Sequence, residues 1–144
     1  MTVAAILDHK GHEIVSARPD DTLAAVSTLL TQHRIGAVLV RGAGADVLGI
    51  LSERDIVRAI AAHGAAALSL TASAVMTREI VYGCPADTVD KVLATMTDRR
   101  IRHLPVMHEG KLVGFVSIGD VVKRRIADVE QEAESLRAFV AGNA

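Results

Sequence analysis

Two short stretches of the chain carry a hydroxyl three residues ahead of a carboxylate: GILSERD, with Ser52 before Asp55, and GFVSIGD, with Ser117 before Asp120. That spacing admits two chemistries. One is structural, because Ser followed three residues later by an acid is close to the capping box that starts many helices. The other is recognition. A carboxylate can accept hydrogen bonds from a ligand's hydroxyls, and a helix N-terminus presents free N–H groups and the positive end of its dipole to an anion. The two readings are compatible, since Ser52 can cap a helix while Asp55 faces a cleft. Other reactive types are poorly placed for catalysis. His9 and His12 sit three apart without an identifiable third ligand, so a metal site is not expected. Cys84 has no evident partner base, and Ser52 lacks the second glycine of a nucleophile elbow. Gly42-x-Gly44 lacks the third glycine of a dinucleotide fingerprint and falls in a turn. With no catalytic constellation in view, the chain reads as a non-enzyme.

The elements that must position these residues are visible as an internal repeat. EIVSARPDDTLAAVSTLLTQHRIGAVLV at 13–40 realigns 66 positions later with EIVYGCPADTVDKVLATMTDRRIRHLPV at 79–106; after one residue is lost, GILSERDIV at 49 falls on GFVSIGDVV at 114. Each half reads as strand, helix, strand, strand, helix. Ile14 and Val15 open the first strand, and Pro19-Asp20-Asp21-Thr22 supplies a turn and an N-cap. Leu23, Val26, Leu30 and His33 follow helical spacing. Ala37–Val40 and Val47–Leu51 are short strands across the turn at 42–46, and Ile56, Val57 and Ile60 line the closing helix. In the second half Val89, Val92, Leu93 and Met96 mark the first helix, and Glu109-Gly110 the hairpin turn. A half of about 60 residues is marginal alone, so the two are expected to pack by a pseudo-two-fold.

This divides the chain into a first repeat with the N-terminal segment over 1–62, a linker over 63–77, a second repeat over 78–127 and a C-terminal helix and tail over 128–144. In the tail, Val129, Ala133, Leu136 and Val140 share one side of a helix that continues the last one of the repeat. The stripe either folds back on its own core or meets another subunit. The linker belongs to a longer run, AIAAHGAAALSLTASAVM at 59–76, which lacks Asp, Glu, Lys and Arg. Its small residues are too weakly apolar for a membrane span, and Gly64 interrupts it.

Composition narrows the function classes. The 144 residues are 50% hydrophobic with a net charge of −1, and Tyr82, Phe115 and Phe139 are the aromatic side chains. That gives neither a basic stripe nor a stacking platform for nucleic acid. One cysteine, Cys84, and no secretory pattern at the N-terminus point to a reducing, cytoplasmic setting.

Four features together identify a family. They are the Pro-x-Asp-Thr helix starts at 19–22 and 85–88, the Val75-Met76-Thr77 junction, the strand Arg102-His103-Leu104-Pro105-Val106, and the paired Gly-x-x-Ser-x-x-Asp motifs at 49–55 and 114–120. The chain resembles a stand-alone tandem CBS-domain protein, the two-repeat unit called a Bateman module, from Val3 to about Val140. The resemblance implies an α/β fold of two β-α-β-β-α repeats with a C-terminal helical extension. It also implies binding of adenosine-containing ligands such as AMP, ADP, ATP, NAD(H) or S-adenosylmethionine in clefts between the repeats. Carried over by position, Ser52 and Asp55 would form one site with Ile80, Val81, Arg102 and His103. Ser117 and Asp120 would form the other with Ile14, Val15, Gly36 and Ala37. Arg54 precedes Asp55 where Gly119 precedes Asp120, so Arg54, Arg102 and His103 could gather at the Asp55 site, making it the more basic and suited to anionic ligands. AMP and NAD(H) lead as ligands, and a homodimer is expected, with any further protein partner unknown. The alternative is a constitutive oligomerisation scaffold with empty clefts.

Overall fold

The computed structural model describes residues 1–142. The chain forms two compact units, Ile14–Ile80 and a second made of Met1–Glu13 with the chain from Val81 onward.

In the unit Ile14–Ile80, strand β1 (Ser16–Ala17) runs parallel to β2 (Ala37–Arg41), which pairs antiparallel with β3 (Val47–Ser52) and sets Ala37 opposite Ser52. Ile14 and Val15, expected to open the first strand, lie just before it. The Pro-x-Asp-Thr turn works through two side chains. Asp21 accepts from the Arg18 amide at 2.9 Å, and Thr22 Oγ1 accepts from Ala25 N at 3.2 Å. Thr22 thereby caps α2 (Leu23–His33). Leu23, Val26 and Leu30 on its inner face pack with Val38, Val40 and Leu51 of the sheet and with Ile56 and Ala59 of α3 (Glu53–His63). Residues 63–77 are not a free linker. They form a 3₁₀ turn over Gly64–Ser69 and a short helix α4 (Ala72–Val75), and Ala67, Ala72 and Met76 are buried in the same core. Their small uncharged side chains allow this, and the backbone is tied in by Leu23 N to Leu70 O at 2.9 Å and Ala72 N to Asp21 O at 2.7 Å.

The second unit begins with α1 (Val3–Lys10) and holds α5 (Val89–Arg99), the hairpin of β4 (His103–His108) and β5 (Lys111–Ser117), and α6 (Ile118–Gly142). The first strand expected in this repeat is reduced to one parallel bridge, Gly83 with Val106. The N-terminal segment, assigned from sequence to the first repeat, packs here. Val3, Ile6 and Leu7 are buried with Val89, Val92, Met96, Leu104, Val116 and Val121. The reason is a docking rule shared by both units. Val3 N and Ala4 N donate to Asp87 O and Pro85 O, just as Ala72 N and Ser73 N donate to Asp21 O and Pro19 O. Further along, the methyls of Leu7 occupy the place a Cβ on Gly114 would take, and Met76 does the same above Gly49, where a Cβ would meet its sulfur at 2.6 Å. Each motif glycine therefore sits beneath a close approach, and at Gly49 the Thr77 carbonyl, 2.9 Å from a Cβ, closes the space as well.

Helix α6 runs unbroken from the repeat into the tail, as the amphipathic pattern predicts, and Asn143 and Ala144 lie outside the described residues. Asp128 on α6 is buried and receives a forked pair of bonds from Arg124 at 2.8 and 3.0 Å. Val129, Leu136 and Val140 stay exposed. Among the described residues no helix is long and apolar enough to cross a membrane.

Candidate functional site

Ser52 caps α3 in a full capping box: its hydroxyl accepts from Asp55 N at 3.3 Å, and Asp55 Oδ2 accepts from Ser52 N at 2.9 Å and from Ser52 Oγ at 3.1 Å. Thr77 Oγ1 adds a long contact to Asp55 Oδ1 at 3.5 Å. The second motif repeats the core of this geometry, with Ser117 N to Asp120 Oδ2 at 2.8 Å and Asp120 N to Ser117 Oγ at 3.2 Å. Capping leaves each carboxylate half-buried at the mouth of a helix, with Oδ1 of Asp55 held among the described residues by one weak hydroxyl contact.

Strand register brings further residues to each motif. Within Ile14–Ile80, Ala37 is the register partner of Ser52, and Glu53 N donates to Gly36 O at 2.9 Å. In the second unit His103 is the partner of Ser117, and Ile118 N donates to Arg102 O at 2.7 Å. Each unit thus assembles its own strand pair beside its own Ser-x-x-Asp, with Ile14, Val15 and Ile80 in one unit and Val81 in the other, all half-buried. Arg54 is exposed next to Asp55. Asp55 also lines an open groove of about 470 Å³ with Arg58, His63 and Leu70. Arg58 and His63 lie three and eight residues beyond Asp55 on α3, a same-face spacing readable in the sequence but passed over there.

The second motif holds the stronger electrostatics. Lys10, the last residue of α1, reaches Asp120 Oδ2 at 2.6 Å and the carbonyl of Phe115 at 2.7 Å. Burial pushes the Asp120 carboxyl up, but the bonds from Lys10 and the Ser117 amide outweigh it and leave the pKa lowered. The His103 imidazole, stacked obliquely on Phe115 with ring centroids 5.7 Å apart, is pushed down to about 4 by burial and by the Lys10 cation, against the opposing pull of Asp120. His103 is therefore neutral at pH 7. A permanent cation, the Lys10 ammonium, therefore stands at the Asp120 motif beside a neutral imidazole.

The family model for the CBS domain matches residues 6–62 and 72–127. The chain belongs to the CBS domain family. It carries two CBS repeats and a C-terminal helix, the tandem arrangement its sequence implied. A mitochondrial CBS domain-containing protein of Arabidopsis thaliana is 35% identical over 127 residues, covering 85% of this chain, which spans 62% of that relative's length. A CBS-domain containing protein of Agrobacterium tumefaciens superposes with a TM-score of 0.85 at 44% identity, covering 86% of this chain and 92% of that one. A CBS domain protein of Pyrobaculum aerophilum solved in complex with AMP superposes at 0.73 with 28% identity, covering 83% and 89%.

Sequence reasoning passed over Lys10, which the structure sets against Asp120; the repeat shows the helix that carries it but not the carboxylate it meets. Thr2-Val3-Ala4-Ala5-Ile6-Leu7 parallels Thr71-Ala72-Ser73-Ala74-Val75-Met76, so each CBS repeat is served by its own copy of one docking helix. Five residues, 8–12, separate the first copy from Glu13, whereas two, 77–78, separate the second from Glu79. The extra length of three (5 − 2) places Lys10 in the first copy where the second has the short Thr77-Arg78 link.

Proposed function

We propose that this tandem CBS chain is a regulatory module that binds adenosine-containing nucleotides, AMP foremost, with NAD(H) and ATP as the other candidates. The observation that carries the reading is the duplicated Ser-x-x-Asp turn, in which the same amide-to-carboxylate bond, 2.9 Å in one repeat and 2.8 Å in the other, fixes an aspartate at the mouth of a helix. The AMP complex of the Pyrobaculum relative supports the ligand class. In this reading Asp55 and Asp120 take ribose hydroxyls, and Ser52 and Ser117 lie toward the ribose-phosphate side. Arg54 and Arg102 supply phosphate charge, and neutral His103 contributes a hydrogen bond. Ile14, Val15, Ile80, Val81, Gly36 and Ala37 offer apolar or backbone surface to the base. The action is a population shift: a ligand favours one arrangement of the module, which a partner then reads. Thermal shift against AMP, ATP, NAD, NADH and S-adenosylmethionine tests it. A midpoint unmoved by every compound would refute nucleotide sensing.

An assembly role has its own supporting observation. Val129, Leu136 and Val140 leave an apolar stripe on α6, with relative exposures of 46, 64 and 61%. We propose that it is covered in a homodimer with closed two-fold symmetry. If the nucleotide panel fails while the dimer persists, the chain is a scaffold.

A further inference from the structure

The two CBS repeats hold chemically similar aspartates in unlike company. Around Asp55 the donors among the described residues are neutral: the Ser52 amide and hydroxyl on Oδ2, and the Thr77 hydroxyl on Oδ1. The hydroxyls can rotate aside when another donor arrives. Around Asp120, Oδ2 takes the Ser117 amide and the Lys10 ammonium, while Oδ1 accepts no bond among the described residues. Lys10 is not a loosely held surface cation. Its ammonium also donates to Phe115 O, its helix is anchored by buried Val3, Ile6 and Leu7, and two residues later His12 Nδ1 donates to Val113 O at 2.8 Å. The end of α1 and the residues after it are thus fastened along β5 at alternate carbonyls, with the ammonium delivered to the motif carboxylate.

A ribose diol grips a carboxylate best when both oxygens are available as charged acceptors. At Asp120 an ammonium already saturates Oδ2 and offsets the charge. A diol then reaches Oδ1 alone, or must displace Lys10 from two acceptors at once. We propose that Lys10 is a specificity-determining residue that holds Asp120 as an internal ion pair and suppresses nucleoside binding at the second motif, leaving Asp55 as the principal ribose site. The inference rests on the nucleotide reading above and deepens it by making the two motifs unequal.

The test measures adenosine, which has the diol and no phosphate to profit from a cation, by calorimetric titration of the full chain in an Asp55→Ala background. Adding Lys10→Met should tighten adenosine about tenfold, or about 1.4 kcal/mol, the scale of one partly screened charged contact. Lys10→Arg, which keeps the charge, should leave it weak. Adding Lys10→Gln, a second neutral variant, guards against a specific failure of the Met protein to fold, which circular dichroism reports. If adenosine binds the wild type through Asp55 but the neutral variants gain nothing or lose affinity, Lys10 does not restrain Asp120 and the inference falls alone. If no adenosine compound binds any folded variant, the nucleotide reading falls and the inference with it.

Discussion

Removing the Asp55 carboxylate should separate its two duties, because one operates without ligand and the other only with it. In the free protein Asp55→Ala deletes the reciprocal half of the capping box, the bonds from Ser52 N and Ser52 Oγ, and the weak Thr77 contact. Ser52 loses its amide partner at a half-buried position, which places the cost near 1 kcal/mol, the middle of the range for helix caps. For a chain of this size that is a fall of roughly 3 °C in Tm. With AMP at one hundred times its Kd, the wild type gains about 2.7 kcal/mol. If the ribose contact is worth about a hundredfold in affinity, the variant sits at its own Kd under the same conditions and gains only about 0.4 kcal/mol. The gap between wild type and variant should then widen from about 1 to about 3.3 kcal/mol on adding AMP. Urea unfolding with and without AMP reads both numbers. A gap that stays near its ligand-free value while AMP stabilises the wild type would show that Asp55 is a cap and nothing more.

Three further outcomes follow from the same geometry. Leu7→Ala should destabilise by about 3 to 4 kcal/mol, since Leu7 is 1% exposed and its methyls fill the space above the Gly114 backbone, which cannot close the hole; a cost under 1 kcal/mol in urea unfolding would contradict the docking of α1 on this core. Acid should weaken the fold before the carboxylates titrate: His103 has a folded pKa of about 4 against an ordinary 6.5, so below pH 6.5 the unfolded chain takes up the proton that the folded chain refuses, and stability drops until pH 4. His103→Gln, which leaves Lys10, Arg102 and Asp120 in place, should flatten that slope between pH 6.5 and 4, and an unchanged slope would remove His103 as its source. Light scattering should give about 30 kDa, twice the 15.2 kDa of one chain, and a monomer at micromolar protein would contradict the proposed cover for the α6 stripe.

The repeats were legible because their signals are local. Pro-x-Asp-Thr states a turn and a cap in four residues, and Asp21 with Thr22 performs both as the sequence implies. Gly-x-x-Ser-x-x-Asp likewise announced its capping box. The packing of α1 was not legible as read, because VAAILDHK declares an apolar face without saying which core receives Val3, Ile6 and Leu7. Residues 63–77 read as a linker because alanine and serine carry almost no amphipathic contrast, yet their small size is what lets them pack against α2 and α3. The first strand of the second repeat shrank to a single bridge at Gly83, a residue that adds no side chain to a sheet. Lys10 was hidden by its position, since a lysine at a helix C-terminus reads as a dipole partner until tertiary structure shows the carboxylate it meets.

The central claim is that the motif aspartates, Asp55 foremost, are ribose-binding groups. Its most direct test is calorimetric titration of AMP into the wild type and into the double variant Asp55→Ala/Asp120→Ala, with circular dichroism confirming that both are folded. The account predicts saturable binding by the wild type and its loss in the double variant. Binding of equal strength in both, or no binding by the folded wild type, would contradict it.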